Sequence, residues 1–151
     1  RTCAGIQNAV DGLDNSIGLG SNSSSNPKAD PAKSFPDLLV FPELCLCGYP
    51  PMDLLDQNAF VAGNLAALRY LQKELPQDLP VAVGYVDRNR SGSGRALVNA
   101  MTVISGGKVV FTQHKTLLPT YDVFDEARYF EPATTRKVFT PAQGRVGFAI
   151  C

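Results

Sequence analysis

Apolar residues change their spacing several times along the chain, and each change marks an element. Residues 37–41 (DLLVF) are apolar on both faces, the pattern of a strand covered on both sides. Pro42 stops that run. Between residues 51 and 75 the period lengthens. Val61, Leu65, Leu68, Leu71 (or Gln72) and Leu75 recur three to four positions apart, which predicts an amphipathic helix. Asp53 or Asp56 is expected to cap its start, and Pro76 ends it. Residues 81–86 (VAVGYV) predict a second strand. After a loop at 91–94 (SGSG), residues 97–104 and 108–113 predict a hairpin joined through Ser105, Gly106 and Gly107. In the run 144–151 (GRVGFAIC), Val146, Phe148 and Ile150 share one face, and Gly147, Ala149 and Cys151 the other.

Two stretches lack a period. Residues 16–35 (SIGLGSNSSSNPKADPAKSF) are rich in Ser, Gly, Asn and Pro and read as a surface excursion. Residues 114–136 mix polarities and read as a long loop of the kind that carries functional groups. Residues 3–7 (CAGIQ) could form a first short strand. Strand, helix, strand, hairpin and strand in that order predict an α/β sandwich with a mixed sheet.

Composition narrows the partners. The chain has 151 residues, enough for one domain with a core. It carries 14 Lys plus Arg and 14 Asp plus Glu, so its net charge is zero, which argues against nucleic acid as a partner. No apolar run approaches the roughly 20 residues of a membrane helix, and no charged-then-apolar leader opens the sequence. A chain that begins at Arg1 is expected to have lost a few residues. Cys3, Cys45, Cys47 and Cys151 fit neither a disulfide framework nor a zinc site, because Cys45-x-Cys47 is too tight for a ligand pair. Alternation through 44–47 (LCLC) would point both thiols one way on an extended segment. Both are expected as small buried apolar residues. Reduced thiols point to a cytoplasmic protein.

Three polar residues follow strands: Glu43 the first, Lys115 the hairpin, and Cys151 the last. A sheet can bring such ends together. A thiolate is a nucleophile, an ammonium steadies it and an oxyanion, and a carboxylate moves the thiol proton. His114, the one histidine, would alternate away from Lys115. The plain readings are two solvated charges and a core cysteine.

The residues around these three say more. FPELCLCGYPPMDLL (41–55) resembles the first signature of the nitrilase, or carbon–nitrogen hydrolase, superfamily. HKTLLPTYDVFDEARYFEP (114–132) resembles the second, and GRVGFAIC the run into the third, in the family's order. GYP-x-x-DLL and LPTYDVFDEARYF are similar to the glutaminase domain of glutamine-dependent NAD synthetases. The resemblance spans nearly the whole chain but only the front part of such a domain.

That resemblance implies a four-layer αββα sandwich, incomplete at residue 151. It implies that Glu43 is the general base, Lys115 the catalytic lysine and Cys151 the nucleophile. It puts Tyr49 near the site, Tyr121 in the segment lining the glutamine pocket, and Glu126 near the lysine and the substrate amino group. The implied activity is hydrolysis of glutamine by a Cys-Glu-Lys triad, feeding ammonia to ATP-dependent synthesis of NAD from nicotinic acid adenine dinucleotide. No cofactor is expected in residues 1–151. ATP and magnesium are expected in a following domain, and a homo-oligomer when full-length. Against these stand other readings: Tyr49 as packing, Glu126 as an ion-pair partner of Arg128 or Lys115, a stand-alone amidase or nitrilase, or a non-catalytic scaffold. The sequence departs from the family at 16–35, where a helix is usual, and at Ala133, where Gly is expected. The turn after Cys151, with its oxyanion donors, would follow the last residue.

Overall fold

The computed structural model describes residues 36–142 and 144–151. The readings placed on 3–7, on 16–35 and on Cys3 lie outside the described residues. Four strands, β1 (Leu39–Val40), β2 (Val81–Arg88), β3 (Leu97–Ser105) and β4 (Lys108–His114), line up in chain order in one sheet. β1 is parallel to β2, and the other two pairings are antiparallel, so the sheet is mixed. The parallel step is bridged by helix α1 (Asn58–Glu74), since parallel strands need a long crossover. The β3–β4 hairpin turns at Gly106 and Gly107, with φ of 57° and 68°, the left-handed pair that a tight two-residue turn requires.

Helix α1 covers one face of the sheet. Leu68, Leu71 and Leu75 pack on Val81, Val83, Tyr85 and Ile104. Its start differs from expectation. Met52–Asp56 forms a separate 3-10 helix that takes up Asp53 and Asp56, and α1 begins after Gln57 with no side-chain cap. Pro50 and Pro51 fix φ and set off this tight turn before an α-helix can begin. The helix stops as expected, with extended Leu75 before Pro76. Asn64 interrupts the apolar stripe but is buried: Nδ2 donates to Val86 O (2.6 Å), and Val86 N donates to Oδ1 (3.3 Å).

On the opposite face, Ala82, Met101 and Val103 meet Phe111, Phe139, Phe148 and Ile150. β5 (Val138–Phe139) and β6 (Val146–Gly147) form a second, antiparallel sheet there. Its Phe139 and Phe148 rings lie 5.5 and 5.7 Å from Phe111. Helix, sheet and sheet therefore stack in that order. Only Val146–Gly147 is paired in the last run, yet its alternation persists. Val146, Phe148 and Ile150 are half-buried, while Gly147, Ala149 and Cys151 are exposed.

Three local expectations give way. β1 is only two residues long, and Val40 is 57% exposed because it lines the cleft described below. Residues 44–47 are turns rather than extended chain, with Leu44 at φ 48°. Leu44 and Leu46 are buried in place of the cysteines, and half-buried Cys45 and Cys47 pack against different clusters. The 114–136 segment contains a short helix, α2 (Glu126–Tyr129). Among the described residues no helix is long and apolar enough to cross a membrane.

Candidate active site

After β1 the chain crosses β2 at Gly84. A Cβ there would lie 2.5 Å from Leu44 N, 2.6 Å from Pro42 O and 2.9 Å from the Glu43 carbonyl carbon. Only a glycine lets the turn lie directly on the sheet. Phe41 N donates to Ala82 O (2.8 Å) and Leu46 N to Gly84 O (3.2 Å), which pins the turn on both sides of Glu43.

Lys115 follows β4. Its N–H donates to Asn99 O and its own carbonyl accepts from Ala133 N, both at 2.8 Å. The side chain is 1% exposed. A buried ammonium needs partners for its N–H groups, and three surround this one. Nζ donates to Glu43 Oε1 (2.8 Å) and to the main-chain oxygen of Cys151 (2.8 Å). It also lies 3.0 Å from both oxygens of Glu126, with hydrogen-bond geometry to Oε1 only.

Each carboxylate has a second donor. Asn99 Nδ2 donates to Glu43 Oε1 at 2.6 Å. Tyr49 OH donates to Glu126 Oε1 at 2.9 Å. Although 42% of Tyr49 is exposed, loss of water around the phenol, then its bond to Glu126 and the nearby carboxylates, raise its pKa, so it stays a donor. Glu43, Lys115, Glu126 and Tyr49 thus share one network, which Cys151 joins through its main-chain oxygen.

Cys151 is exposed and, with Glu43, lines a cleft of about 250 Å³ walled by Phe41, Met101 and Phe148. Tyr121 stands outside the network and is 69% exposed. Its ring meets Phe124 edge-on at 5.7 Å, and Phe124 lies 6.1 Å from Tyr49. Arg128 pairs with exposed Asp53 at 3.8 Å rather than with Glu126. His114 lies apart, its pKa lowered by burial. Cys47 is pushed up to about 11, first by burial and then by neighbouring Cys45, so its thiol resists ionisation. Among the described residues no group of three or more His, Cys, Asp or Glu could hold a metal ion.

Asn99, Gly84 and Phe124 had escaped sequence reasoning. A lone amide inside the apolar run LVNAMTVIS, and a glycine inside VAVGYV, were the available signals.

Known proteins match most of the chain. A profile of the family described as carbon–nitrogen hydrolase matches residues 19–151. A glutamine-dependent NAD(+) synthetase of Synechocystis sp. is 41% identical over 119 residues, covering 76% of this chain and 21% of that protein. One from Thermotoga maritima is 40% identical over 119 residues, covering 76% and 19%. The solved structure of the Acinetobacter baumannii glutamine-dependent NAD+ synthetase, in complex with ADP, matches with a TM-score of 0.74 at 26% identity. That match covers 99% of this chain and 25% of the solved one. A carbon–nitrogen hydrolase from Helicobacter pylori shares the fold, with a TM-score of 0.61 at 17% identity, over 99% and 46% of the two chains. The chain spans about a fifth of the length of the curated relatives it matches.

Proposed function

The chain belongs to the carbon–nitrogen hydrolase family, and we propose that it carries the glutamine-hydrolysing site of a glutamine-dependent NAD synthetase. In this reading residues 1–151 are the front part of the glutaminase domain. The rest of that domain and an ATP-binding synthetase domain follow. The observation that carries the reading is the buried Lys115 ammonium, clamped between Glu43 and Glu126 and bonded to the backbone of Cys151.

Cys151 attacks the side-chain amide carbon of glutamine. As the S–C bond forms, Glu43 takes the thiol proton and the carbonyl electrons move onto oxygen. Two of the Lys115 N–H groups face carboxylates. The third donates to the main-chain oxygen of Cys151, a peptide carbonyl in the longer protein of this reading, and is the one a developing oxyanion can take over. The C–N bond then breaks, Glu43 hands its proton to the nitrogen, and ammonia leaves a glutamyl thioester. Glu43 next draws a proton from water, whose oxygen attacks the thioester. The sulfur departs and is reprotonated, and glutamate is released.

Substrate recognition follows from the charges present. Two carboxylates face one ammonium, so the site favours a further cation. Glu126 Oε2 is buried and has no hydrogen-bond partner among the described residues, which suits it to the α-ammonium of glutamine. Phe124 lines the pocket beside Glu126, and Tyr121 meets the Phe124 ring edge-on. Ammonia released here would serve amidation of nicotinic acid adenine dinucleotide in the further domain, where ATP and magnesium belong.

The test is a full-length protein with labelled glutamine. Wild type should form a trappable thioester and release ammonia, and Cys151→Ala should do neither. Either signal persisting in that variant assigns the chemistry to another nucleophile and removes the proposal.

A further inference from the structure

We propose that Asn99 is a positioning residue that selects which oxygen of Glu43 moves the proton, an inference that rests on the glutaminase reading. Asn99 lies in the middle of β3, 1% exposed. Its side chain holds Glu43 Oε1 at 2.6 Å, and its main-chain oxygen holds the N–H of Lys115 at 2.8 Å. One residue thus splints the base to the ammonium-bearing residue. The partner sets the amide's orientation, because turned over, its oxygen would face a carboxylate oxygen.

In the required orientation Asn99 Oδ1 is buried with no hydrogen-bond partner among the described residues. Such an acceptor weakens a fold. The neighbours of Asn99 on the same face of β3 are apolar, Leu97, Met101 and Val103. An apolar residue would suit that face better, so the amide is accounted for by what it does to Glu43.

Its effect is to make the two carboxylate oxygens unequal. Oε1 accepts from Asn99 and from Lys115, while Oε2 has no partner among the described residues. An oxygen already accepting two hydrogen bonds is the poorer proton acceptor. Oε2 therefore takes the Cys151 proton and returns it, while Oε1 stays locked. Two donors on one oxygen also fix the carboxylate plane, which a single contact from Lys115 leaves free to rotate. The charged and titratable groups facing Glu43 are Lys115, Glu126 beyond it, the Tyr49 phenol and Cys151.

The experiment compares Asn99→Asp and Asn99→Leu with wild type in the full-length protein, reading kcat, KM and the pH profile of glutaminase activity. Asn99→Leu should lower kcat about tenfold to hundredfold, with KM for glutamine within about threefold. Asn99→Asp is close to isosteric and should move the acid limb to higher pH by about one unit or more. The sign follows from the chemistry: the base must be ionised, and a second carboxylate in contact with it holds a proton on the pair to higher pH. Asn99→Asp remains informative where Asn99→Leu does not fold. An Asn99→Asp variant with a wild-type acid limb and kcat, beside an inactive Cys151→Ala, overturns this inference alone. A wild type that does not hydrolyse glutamine overturns the functional reading and this inference with it.

Discussion

The ammonium of Lys115 lies 2.8 Å from Oε1 of Glu43, a contact that spans 72 positions of sequence. The lysine side chain is 1% exposed and the glutamate side chain 20%, so water screens the pair weakly. Glu126 adds a second, more deeply buried carboxylate at 3.0 Å. Such a cluster is costly to assemble and costlier to leave half-made.

Lys115→Ala should therefore fail twice. Removing the ammonium leaves Glu43 and Glu126 uncompensated, a loss of about 3–5 kcal/mol in urea unfolding. Glutaminase turnover in the full-length protein should collapse, while calorimetry still detects glutamine binding. A variant that keeps near-normal turnover would show that the lysine has no part in the chemistry.

Gly84→Ala tests the close approach of the Glu43 turn. The added methyl would meet backbone atoms of residues 42–44 at 2.5–2.9 Å, and backbone cannot swing aside as a side-chain tip can. Overpacking of this kind costs about 1–3 kcal/mol. Because the turn carries Glu43, activity should fall further than stability does. Unchanged unfolding and unchanged turnover would mean that the turn shifts freely over β2.

The thiols should separate by reactivity. Cys151 is exposed, whereas Cys47 is half-buried and its pKa is pushed up to about 11. At pH 8 iodoacetamide should label Cys151 well before Cys47, with peptide mapping as the readout. The same shift sets a stability trend. The unfolded thiol ionises near 9.0 and the folded one near 11, so this contribution is intact below pH 9 and lost as pH rises towards 11. Equal labelling of Cys47 and Cys151 at pH 8 would contradict the packing of the 44–47 turn.

The pattern of residues alone was enough for α1, for the hairpin of β3 and β4, and for the alternation of Phe148, Ile150 and their neighbours. Each is a local period set by which side of an element meets the core, and such a period is written in consecutive residues. The resemblance carried by FPELCLCGYP and HKTLLPTYDVFDEARYF likewise picked out Glu43, Tyr49, Lys115 and Glu126 before any contact among them was visible.

What lay beyond local reading depended on which residues face one another across the fold. The left-handed Leu44 turned Cys45 and Cys47 towards different clusters, against the alternation of LCLC. Gly84 read as one small residue in a strand until the Glu43 turn was laid across it. Asn99 is one amide in an apolar run, and pairing places it opposite Val86 with its side chain on Glu43. Sequence determined the elements and named the chemical groups, because burial and side-chain chemistry are properties of each residue in its own segment. Only the tertiary structure decided that the Lys115 ammonium bonds to Glu43, 72 positions away, and that one oxygen of Glu43 accepts from both Lys115 and Asn99, because partner choice belongs to pairs of segments.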